Sequence, residues 1–509
     1  MSGLGFVTLV GAGPGDPELI TLAGRRALEA AGCVVYDRLV SPRLLEFAPA
    51  SAERVYVGKI GGGSAHCVSQ DAINELLIDR ARMGLRVVRL KGGDPLLFGR
   101  GGEELEALAA AGIPFGVIPG VTAALAASAF TGVPLTHRLD ASAVAFVTGH
   151  EDPAKSQGLD PKSLAHFPGT IAVYMPLKRS AAFAAALIKE GRSPATPAVY
   201  VEWASTNRQR VVETTIEEIA TERSPVEGLQ SPVMAIIGEV CRRRERLMWF
   251  EQRPLFGQRI LVLRAAHQAA ELVEKFERQG AQVFSSPAFE IAPPESWVTV
   301  DATIERLAKF EWVVFTSRNG VEFFLRRVLD TGRDLRALGA CKLAAIGPGT
   351  ATALAEHHLK ADLMPDEFRS EALANALANS AAGKNVLLVR ADRGRDELQR
   401  RLEKIASVET VVAYRQVDCE KPTEEVCEAL AGRGIDWVVF TSSNMAAAFW
   451  KWKPVFDAGL WERLKFATIS PVTSEAVRGL GGTVSAEAPV YTMEGVAGAV
   501  RAAVTSSSV

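Results

Sequence analysis

The chain has 509 residues, which is too long for one hydrophobic core and predicts two to four domains. Hydrophobic residues make up 48% of the sequence and charged residues 23%, a globular balance that excludes a disordered chain. The formal net charge of −2 gives no sign of nucleic-acid binding, so local Arg and Lys side chains must hold any anionic ligand.

Cysteine spacing and apolar segments restrict the class further. The six cysteines form no C-x-x-C pair and no His lies at zinc-ligand spacing from them, which predicts reduced thiols and no metal site. The N-terminus shows no signal peptide pattern. The longest apolar stretch, around 121–133, is interrupted and is shorter than the roughly 20 residues that span a bilayer. We therefore expect a cytoplasmic protein with no membrane partner.

Short apolar runs alternate with helical patterns in the first part of the chain. They predict a strand at 6–10, a helix at 17–31, a strand at 33–36, a helix at 70–83 and a strand at 85–90. Further apolar runs follow at 143–148, 170–175, 197–201 and 233–238. This alternation is typical of a parallel α/β sheet. We predict a first domain at 1–249 and a linker containing Pro and Gly at 250–256.

The remaining residues, 257–509, contain an internal repeat. GQRILVLRA, which begins at Gly257, returns as GKNVLLVRA at Gly383. EWVVFTSRN, with its Trp at 312, returns as DWVVFTSSN with its Trp at 437, and AIGPGTATAL returns as TISPVTSEAV. Three matched pairs in the same order predict two similar α/β halves of roughly 125 residues, facing each other across a ligand cleft.

Three loops of the first domain are rich in glycine or small residues. VGAGPGD, which begins at Val10, resembles a dinucleotide fingerprint but has Asp16 at the third Gly position, and Pro14 removes a backbone donor. An NAD site and a turn that serves only packing are the alternatives to a loop approached by a ligand without phosphates. In RLKGGDPLLFGRGGEE, Asp94 is placed to accept hydrogen bonds from ribose hydroxyls or an amine. PGVTAA leaves room for a flat ligand, and Arg138 in PLTHR could bind a carboxylate.

These motifs belong to a longer series of matching runs. VGAGPGDPELITL, VVYDRLVS, VGK, RLKGGDPLLFGRGGEE, PGVTAA, GVPLTHR, FVTGH and VYM occur in that order. Over residues 6–249 the chain therefore resembles uroporphyrinogen-III C-methyltransferases of the precorrin methylase group. The resemblance implies a tetrapyrrole methylase fold with two facing α/β subdomains and S-adenosylmethionine in the cleft. It also implies S-adenosylhomocysteine as a product and a homodimer formed through this domain.

The resemblance implies roles for individual residues as well. Asp37 and Lys59 are expected to act in acid/base chemistry. The expected cofactor contacts are Pro14, Gly92, Gly93, Asp94, Leu97, Thr122, Ala123, Met175 and Ala204. Two runs depart from the family pattern: Pro176 follows Met175 where the family has Gly, and Trp203 precedes Ala204 in a run that is usually V-E-N-G-T.

The implied methyl transfer needs a base and no metal. The sulfonium methyl group is already electrophilic and an electron-rich pyrrole carbon attacks it, so a proton must then leave the macrocycle. A positioned carboxylate such as Asp37 suits that step, and a structural cap on the turn after its strand is the alternative. Lys59 is either a proton donor or an anchor for a substrate carboxylate.

The repeated loops of the second part favour anion binding. Ser317 and Ser442 each follow a strand and precede a helix, where hydroxyls and free backbone N–H groups bind carboxylates. A plain helix N-cap is the alternative. Thr350 and Thr473 occupy equivalent positions in the third repeated pair. Tyr414 follows a strand where the halves should exchange, and a core or hinge tyrosine is its alternative.

Residues 257–503 resemble uroporphyrinogen-III synthase, a family of two Rossmann-like α/β domains whose chain crosses twice; we expect crossings near 287–292 and 412–417. The resemblance implies that hydroxymethylbilane is closed into a ring with inversion of its last pyrrole, without a cofactor. Tyr414 could assist the loss of water, and Ser317, Thr350, Ser442 and Thr473 would bind the substrate. Arg264, Arg369 and Arg390 are further candidates for its acidic side chains, with surface arginines as the alternative.

The two resemblances fit together chemically, because the product of the second half is the substrate of the first. The expected route runs from hydroxymethylbilane to uroporphyrinogen III and, after two methylations, to precorrin-2. The partners are then small tetrapyrroles. One alternative is a methyltransferase for a later precorrin, and another is a second half that binds tetrapyrroles without catalysis.

Overall fold

The computed structural model describes residues 4–58, 68–150, 158–221, 223–264, 266–339, 341–394, 396–432, 434–456 and 458–506. The chain forms two compact units. The first holds Met1–Gln258 with Glu277–Gln282, and the second holds Arg259–Phe276 with Val283–Val509. The five cysteines in the described part of the chain are not joined in disulfides.

The first sheet is entirely parallel, with the strand order β3-β2-β4-β1-β5. Its elements are β1 (Phe6–Gly11), α1 (Leu22–Glu29), β2 (Cys33–Tyr36), α2 (Pro42–Leu45), β3 (Glu53–Tyr56), α3 (Gln70–Arg82), β4 (Arg86–Lys91), α4 (Gly101–Ala110), β5 (Phe115–Ile118) and α5 (Ala123–Thr131). Val7, Leu9 and Val10 of β1 are completely buried, as expected for a strand covered on both faces. The carboxyl ends of these strands therefore meet at one edge.

The helix predicted at 17–31 is shorter in the structure. Residues Pro17–Leu19 form a 3-10 turn, Ile20 is extended, and α1 begins after Thr21. The Thr21 hydroxyl accepts a hydrogen bond from the Gly24 N–H at 3.0 Å, which fixes a new helix start.

The second sheet is mixed, in contrast to the parallel sheet that the alternation of strands and helices over 6–90 predicted and that the first sheet shows. Its elements are β6 (Val144–Thr148), α6 (Pro161–Ala165), β7 (Thr170–Tyr174), α7 (Ser180–Lys189), β8 (Pro197–Glu202), β9 (Arg210–Thr215), α8 (Ile216–Ile219), β10 (Val233–Ile237) and α9 (Arg244–Leu247). The order is β6-β7-β10-β8-β9, and only β6 and β7 pair in parallel. The antiparallel pairs arise because β9, a strand that was not predicted, turns back directly on β8 as a hairpin and so reverses the direction of the chain.

The segment 250–256, predicted as a linker, packs within the first unit. Phe250 is 3% exposed and Leu255 is completely buried. The guanidinium carbon of Arg253 lies 3.7 Å from the centre of the Phe250 ring.

The second unit contains two five-stranded sheets. Its elements are β11 (Arg259–Val262), α10 (Ala266–Arg278), β12 (Gln282–Ser285), β13 (Phe289–Ala292), α11 (Val298–Glu305), β14 (Trp312–Phe315), α12 (Arg318–Asp330), β15 (Lys342–Ala345), α13 (Pro348–Glu356), α14 (Ser370–Leu377), β16 (Asn385–Ala391), α15 (Glu397–Leu402), β17 (Ser407–Asp418), α16 (Glu424–Ala431), β18 (Trp437–Phe440), α17 (Ser443–Lys451), α18 (Ala458–Trp461), β19 (Lys465–Thr468), α19 (Pro471–Gly479), β20 (Val484–Glu487) and α20 (Met493–Ser506). One sheet has the order β12-β11-β18-β19-β20, and the other has the order β13-β17-β16-β14-β15.

Each of these sheets takes strands from both sequence repeats. We call the part around the first of them lobe A (259–286, apart from 277–282, and 419–506) and the part around the other lobe B (287–418). The two segments predicted as crossings largely pair with each other, because β13 runs antiparallel to the end of β17, from Phe289 opposite Asp418 to Ala292 opposite Arg415. Lobe B is thus one continuous stretch of chain, whereas lobe A is built from two.

Candidate active sites

Three loops of the first unit meet backbone to backbone at the carboxyl edge of the parallel sheet. Gly13 and Gly93 exchange two hydrogen bonds, with N···O distances of 3.2 and 2.7 Å. A Cβ atom on Gly11 would lie 2.5 Å from the Cα of Gly120, and one on Gly120 would lie 2.3 Å from the Gly93 oxygen. Only glycine allows this approach, so the spacing of glycines in VGAGPGD, KGGDP and PGVTAA builds a single surface.

Asp94 fastens two of these loops together. Its Oδ1 accepts hydrogen bonds from the backbone N–H groups of Leu96 and Leu97 at 2.9 and 3.1 Å, and its Oδ2 accepts one from Gly120 at 3.1 Å. The carboxylate therefore binds the protein's own backbone, where the sequence analysis expected a cofactor group.

An apolar layer lies beside the glycine loops. Leu97 and Ala123 pack against the cluster that contains Tyr174 and Ala204. The Tyr174 hydroxyl lies 2.6 Å from the Thr122 Oγ1. Burial raises the pKa of Tyr174, so its hydroxyl stays neutral and can donate or accept a hydrogen bond. Eight predicted cofactor contacts therefore lie in this layer or in the glycine loops that border it: Pro14, Gly92, Gly93, Asp94, Leu97, Thr122, Ala123 and Ala204.

The loop backbone around this layer is strained. Positive φ angles between 50° and 70°, which residues other than glycine rarely adopt, occur at Phe98, Met175, Trp203 and Ser205. Ser205 also accepts a hydrogen bond from the Asp16 N–H at 3.3 Å, so the loop that carries Pro14 and the loop that carries Ala204 are in contact. Of the two departures from the family pattern, Trp203 is itself strained, and Pro176 has an ordinary φ of −70° but directly follows the strained Met175.

Asp37 lies at the end of β2, beside the glycine loops. Its Oδ1 accepts a hydrogen bond from the Leu39 N–H at 3.1 Å, which is the turn cap considered as an alternative role. Its Oδ2 lies 3.6 Å from Arg89 Nη2. A Cβ on Gly92 would lie 2.8 Å from the Leu39 Cβ, so the Asp37 turn touches the loop after β4. Lys59 lies outside the described residues.

Behind Asp37 lies a buried charge network that the sequence analysis missed. Arg89 and Lys91 on β4 are 3% and 4% exposed, and Glu104 on α4 is completely buried. Glu104 Oε1 lies 3.1 Å from Arg89 Nε and 2.8 Å from Lys91 Nζ. Burial lowers the pKa of Lys91, and the neighbouring Arg89 charge lowers it further against the opposing effect of Glu104. The available signal was two cations at the carboxyl end of a strand that is apolar after its exposed first residue, Arg86.

Arg138 is exposed on the turn that His137 and Ala141 close with paired backbone hydrogen bonds. His137 Nδ1 lies 3.0 Å from Asp140 Oδ2, and Arg243 donates to both oxygens of the same carboxylate at 2.8 and 3.1 Å. Ion pairs therefore hold the turn firmly. Arg138 is exposed and forms no hydrogen bond or ion pair within the described part of the chain, which leaves its guanidinium group accessible to a ligand.

In the second unit, four helices start directly after a strand with an extended residue at the N-cap. These residues are Ser317, Gly347, Ser442 and Ser470. Ser317 Oγ accepts a hydrogen bond from the Gly320 N–H at 3.0 Å, and Ser442 Oγ accepts one from the Met445 N–H at 3.3 Å. The N-cap alternative therefore describes both loops, and carboxylate binding there stays a prediction.

Tyr414 and Ser317 come together in lobe B. Their hydroxyl oxygens lie 2.9 Å apart on the wall of a cavity of about 190 Å³ that Arg390 also lines. Tyr414 is 4% exposed, and burial raises its pKa although the hydrogen bond with Ser317 opposes that shift. The phenol is therefore a neutral O–H donor facing a cavity.

The other candidate side chains of the second unit are more scattered. Thr350 and Thr473 are buried in the first turns of α13 and α19, one in each lobe. Arg264 donates to Thr441 Oγ1 at 3.1 Å, next to the Ser442 loop. Arg369 is exposed and pairs with Glu367 at 2.5 Å, as its alternative reading as a surface arginine predicts.

Comparison with known proteins gives the same two-part division. The family model for tetrapyrrole (corrin/porphyrin) methylases matches residues 7–220, and the model for uroporphyrinogen-III synthase HemD matches residues 270–498. The porphyrin biosynthesis protein HemD of Ruminiclostridium josui is 34% identical over 447 residues, covering 87% of this chain and 88% of that protein. The chain belongs to the tetrapyrrole methylases and, in its second half, to the uroporphyrinogen-III synthases.

Two further relatives are C-methyltransferases. The uroporphyrinogen-III C-methyltransferase of Bacillus subtilis is 37% identical over 351 residues, covering 69% of this chain and 71% of that protein. A crystal structure of uroporphyrin-III C-methyltransferase from Thermus thermophilus, complexed with S-adenosylhomocysteine, is 43% identical; it covers 47% of this chain and 94% of that chain, with a TM-score of 0.40.

The chain is therefore a tetrapyrrole biosynthesis enzyme with a methyltransferase domain and a synthase-like domain. Within the described ranges, no helix is both long and apolar enough to cross a membrane. The same residues contain no cluster of three or more His, Cys, Asp or Glu side chains that could hold a metal ion.

Proposed function

We propose that this enzyme closes hydroxymethylbilane to uroporphyrinogen III in its synthase domain and methylates that product twice in its methylase domain, giving precorrin-2. The observation that carries the proposal is the convergence of the three glycine loops on one edge of the parallel sheet, with Asp37 beside them. The order of the two matched families in one chain supports the coupling of the two reactions.

The methylase loops suit S-adenosylmethionine, which supplies an electrophilic methyl group. The lack of side chains in the glycine loops leaves room for the amino acid and the ribose beside the backbone, and the layer around Leu97, Ala123 and Ala204 suits a flat apolar ring. Asp37 then accepts the proton that leaves the macrocycle, with Arg89 beside it to hold its carboxylate. Arg138 would bind a substrate carboxylate from its exposed turn.

In the synthase domain Tyr414 donates a hydrogen bond to the hydroxyl that leaves the hydroxymethyl carbon. Its neutral phenol and its contact with Ser317 support that role. The helix starts at Ser442 and near Thr350 and Thr473 bind carboxylates of the linear tetrapyrrole. Positioning of the linear tetrapyrrole accounts for most of the rate enhancement, because no cofactor takes part.

The proposal is tested with the full chain and hydroxymethylbilane, with and without labelled S-adenosylmethionine. We expect uroporphyrinogen III without the cofactor and a doubly labelled product with it, and no added metal should be needed. Tyr414→Phe should lose the inverted ring isomer yet still methylate supplied uroporphyrinogen III. A wild-type chain that methylates supplied substrate but forms no inverted isomer would instead support a synthase-like domain that only binds tetrapyrroles.

Asp94→Ala should weaken S-adenosylmethionine binding by roughly 1–3 kcal/mol, measured by calorimetry, because three backbone N–H groups of the cofactor loops lose their acceptor. Asp160→Ala is the matched control, since Asp160 also caps two backbone N–H groups but at the start of α6. Equal affinities in wild type and Asp94→Ala would remove Asp94 from the cofactor site.

The homodimer and the cytoplasmic location stay part of the proposal. Exposed apolar side chains on two edge strands, Phe115 and Val117 on β5 and Phe146 on β6, support an assembly through the methylase domain.

A further inference from the structure

Asp418 joins two cations that come from different lobes. It is the last residue of β17, where the chain leaves lobe B. Its Oδ1 accepts a hydrogen bond from Arg393 Nη1 at 2.5 Å, and its Oδ2 accepts one from Lys451 Nζ. Burial acts to raise the pKa of Asp418, but the hydrogen bonds from Lys451 and Arg393 outweigh it and the pKa is lowered. The carboxylate is therefore ionised between two positive side chains.

The position of Lys451 is fixed by its neighbours. Trp452 is completely buried in the core of lobe A and donates its indole N–H to the Cys419 oxygen at 2.8 Å. At the other end of the same helix, Asn444 donates to Gln416 Oε1 at 2.9 Å. Helix α17 is thus attached to the end of β17 at both of its own ends, and the Lys451 ammonium group is held beside the lobe crossing.

Arg393 and Asp418 line different cavities. Arg393 lines the cavity of about 190 Å³ that holds Tyr414, and Asp418 lines a second cavity of about 1050 Å³. Drug-sized ligands already need roughly 300–1,000 Å³, so a linear tetrapyrrole cannot fit in the smaller cavity alone. A substrate that reaches Tyr414 must therefore extend beyond the wall of this cavity, which Arg393 helps to form.

We propose that Arg393 and Lys451 bind one carboxylate of the linear tetrapyrrole across the two lobes, and that Asp418 occupies this cation pair when substrate is absent. The inference rests on the proposed synthase function. Guanidinium and ammonium groups together offer eight N–H donors, and Asp418 engages one on each, so a second carboxylate finds donors in place. Substrate and Asp418 then compete for the same charges.

This competition predicts opposite effects of two substitutions on the cyclisation of hydroxymethylbilane by the full chain. Lys451→Gln should raise KM by about 5-fold because the substrate loses a partly exposed charge partner. Asp418→Asn should lower KM by about the same factor because the internal competitor loses its charge. In both variants kcat should change little, since neither residue touches the reacting carbon.

Lys453→Gln is the matched control. Lys453 is two residues away in sequence, and its ammonium nitrogen lies 5.5 Å from the centre of the Trp461 ring. The KM of this variant should equal that of wild type. A merely structural role for Asp418 predicts a raised KM and a lower melting temperature in both test variants. A KM that shifts in the same direction in both variants, or that shifts in neither, overturns the inference. Cyclisation by the wild-type chain in that case leaves the proposed function intact. A wild-type chain that forms no uroporphyrinogen III overturns both.

Discussion

Asp37→Asn is expected to slow methyl transfer by roughly 10²–10⁴-fold, because the variant cannot take the proton that leaves the macrocycle. The amide oxygen can still accept the hydrogen bond from the Leu39 N–H, so the turn keeps its cap. The contact with Arg89 is long, at 3.6 Å, and its loss should cost little stability. Single-turnover transfer from labelled S-adenosylmethionine to uroporphyrinogen III measures the effect.

Two further measurements separate this role from a structural one. The affinity for S-adenosylhomocysteine and the melting temperature should stay close to wild type, and the exposed Asp79→Asn should leave the rate unchanged. If Asp37 serves only as a cap, the variant loses stability and keeps most of its intrinsic rate. Near-normal turnover would assign the proton to water or to another residue.

Glu104→Gln is expected to destabilise the methylase unit by roughly 3–5 kcal/mol, because two buried cations lose the one carboxylate they share. Denaturant titration of the full chain measures this loss, with the transition of the second unit as an internal reference. Glu103→Gln is the matched control: its side chain is 50% exposed and pairs with Arg100, so the change should stay within about 0.5 kcal/mol.

The loss of stability in Glu104→Gln should depend on pH in a defined direction. The pKa of Lys91 is lowered in the folded protein, and removing Glu104 lowers it further, so the folded variant binds fewer protons than the unfolded chain. Stability then rises with pH between the lowered pKa of Lys91 in the folded protein and the ordinary Lys pKa of 10.5, because the unfolded chain binds more protons there. The deficit should be smaller at pH 9.5 than at pH 7. A variant as stable as wild type at both pH values would contradict the shared-carboxylate network.

The glycine loops were predictable from sequence because their signal is local. Each follows a strand of a parallel sheet, and such strands end at a common edge, so KGGDP and PGVTAA had to meet. The network around Glu104 was not predictable in that way, because its contact with Arg89 depends on how α4 packs against β4. The strain at Met175 and Trp203 gave no signal either, since neither residue is one that positive φ favours.

The second unit shows the same limit. The matched repeats predicted two similar halves. In the structure each lobe contains strands of both repeats, because β11 of the first repeat pairs with β18 of the second, and β14 of the first pairs with β16 of the second. Hydrophobic periodicity in the sequence predicts where the strands lie but not which strands pair with each other. Ser317 and Tyr414 were both singled out from sequence, while their contact required the register of β16 and β17.

The discontinuity of lobe A has a consequence for synthesis on the ribosome. Lobe B can complete its sheet as soon as β17 has emerged, since all of its strands lie between Phe289 and Asp418. Strand β11 is made earlier and has β12 on one side, but its other edge must wait for β18, and until then its buried residues Leu261 and Val262 lack part of their cover. A premature stop codon after Asp418 would therefore leave the methylase unit and lobe B with their strands complete, while β11 would keep one open edge that is prone to aggregation.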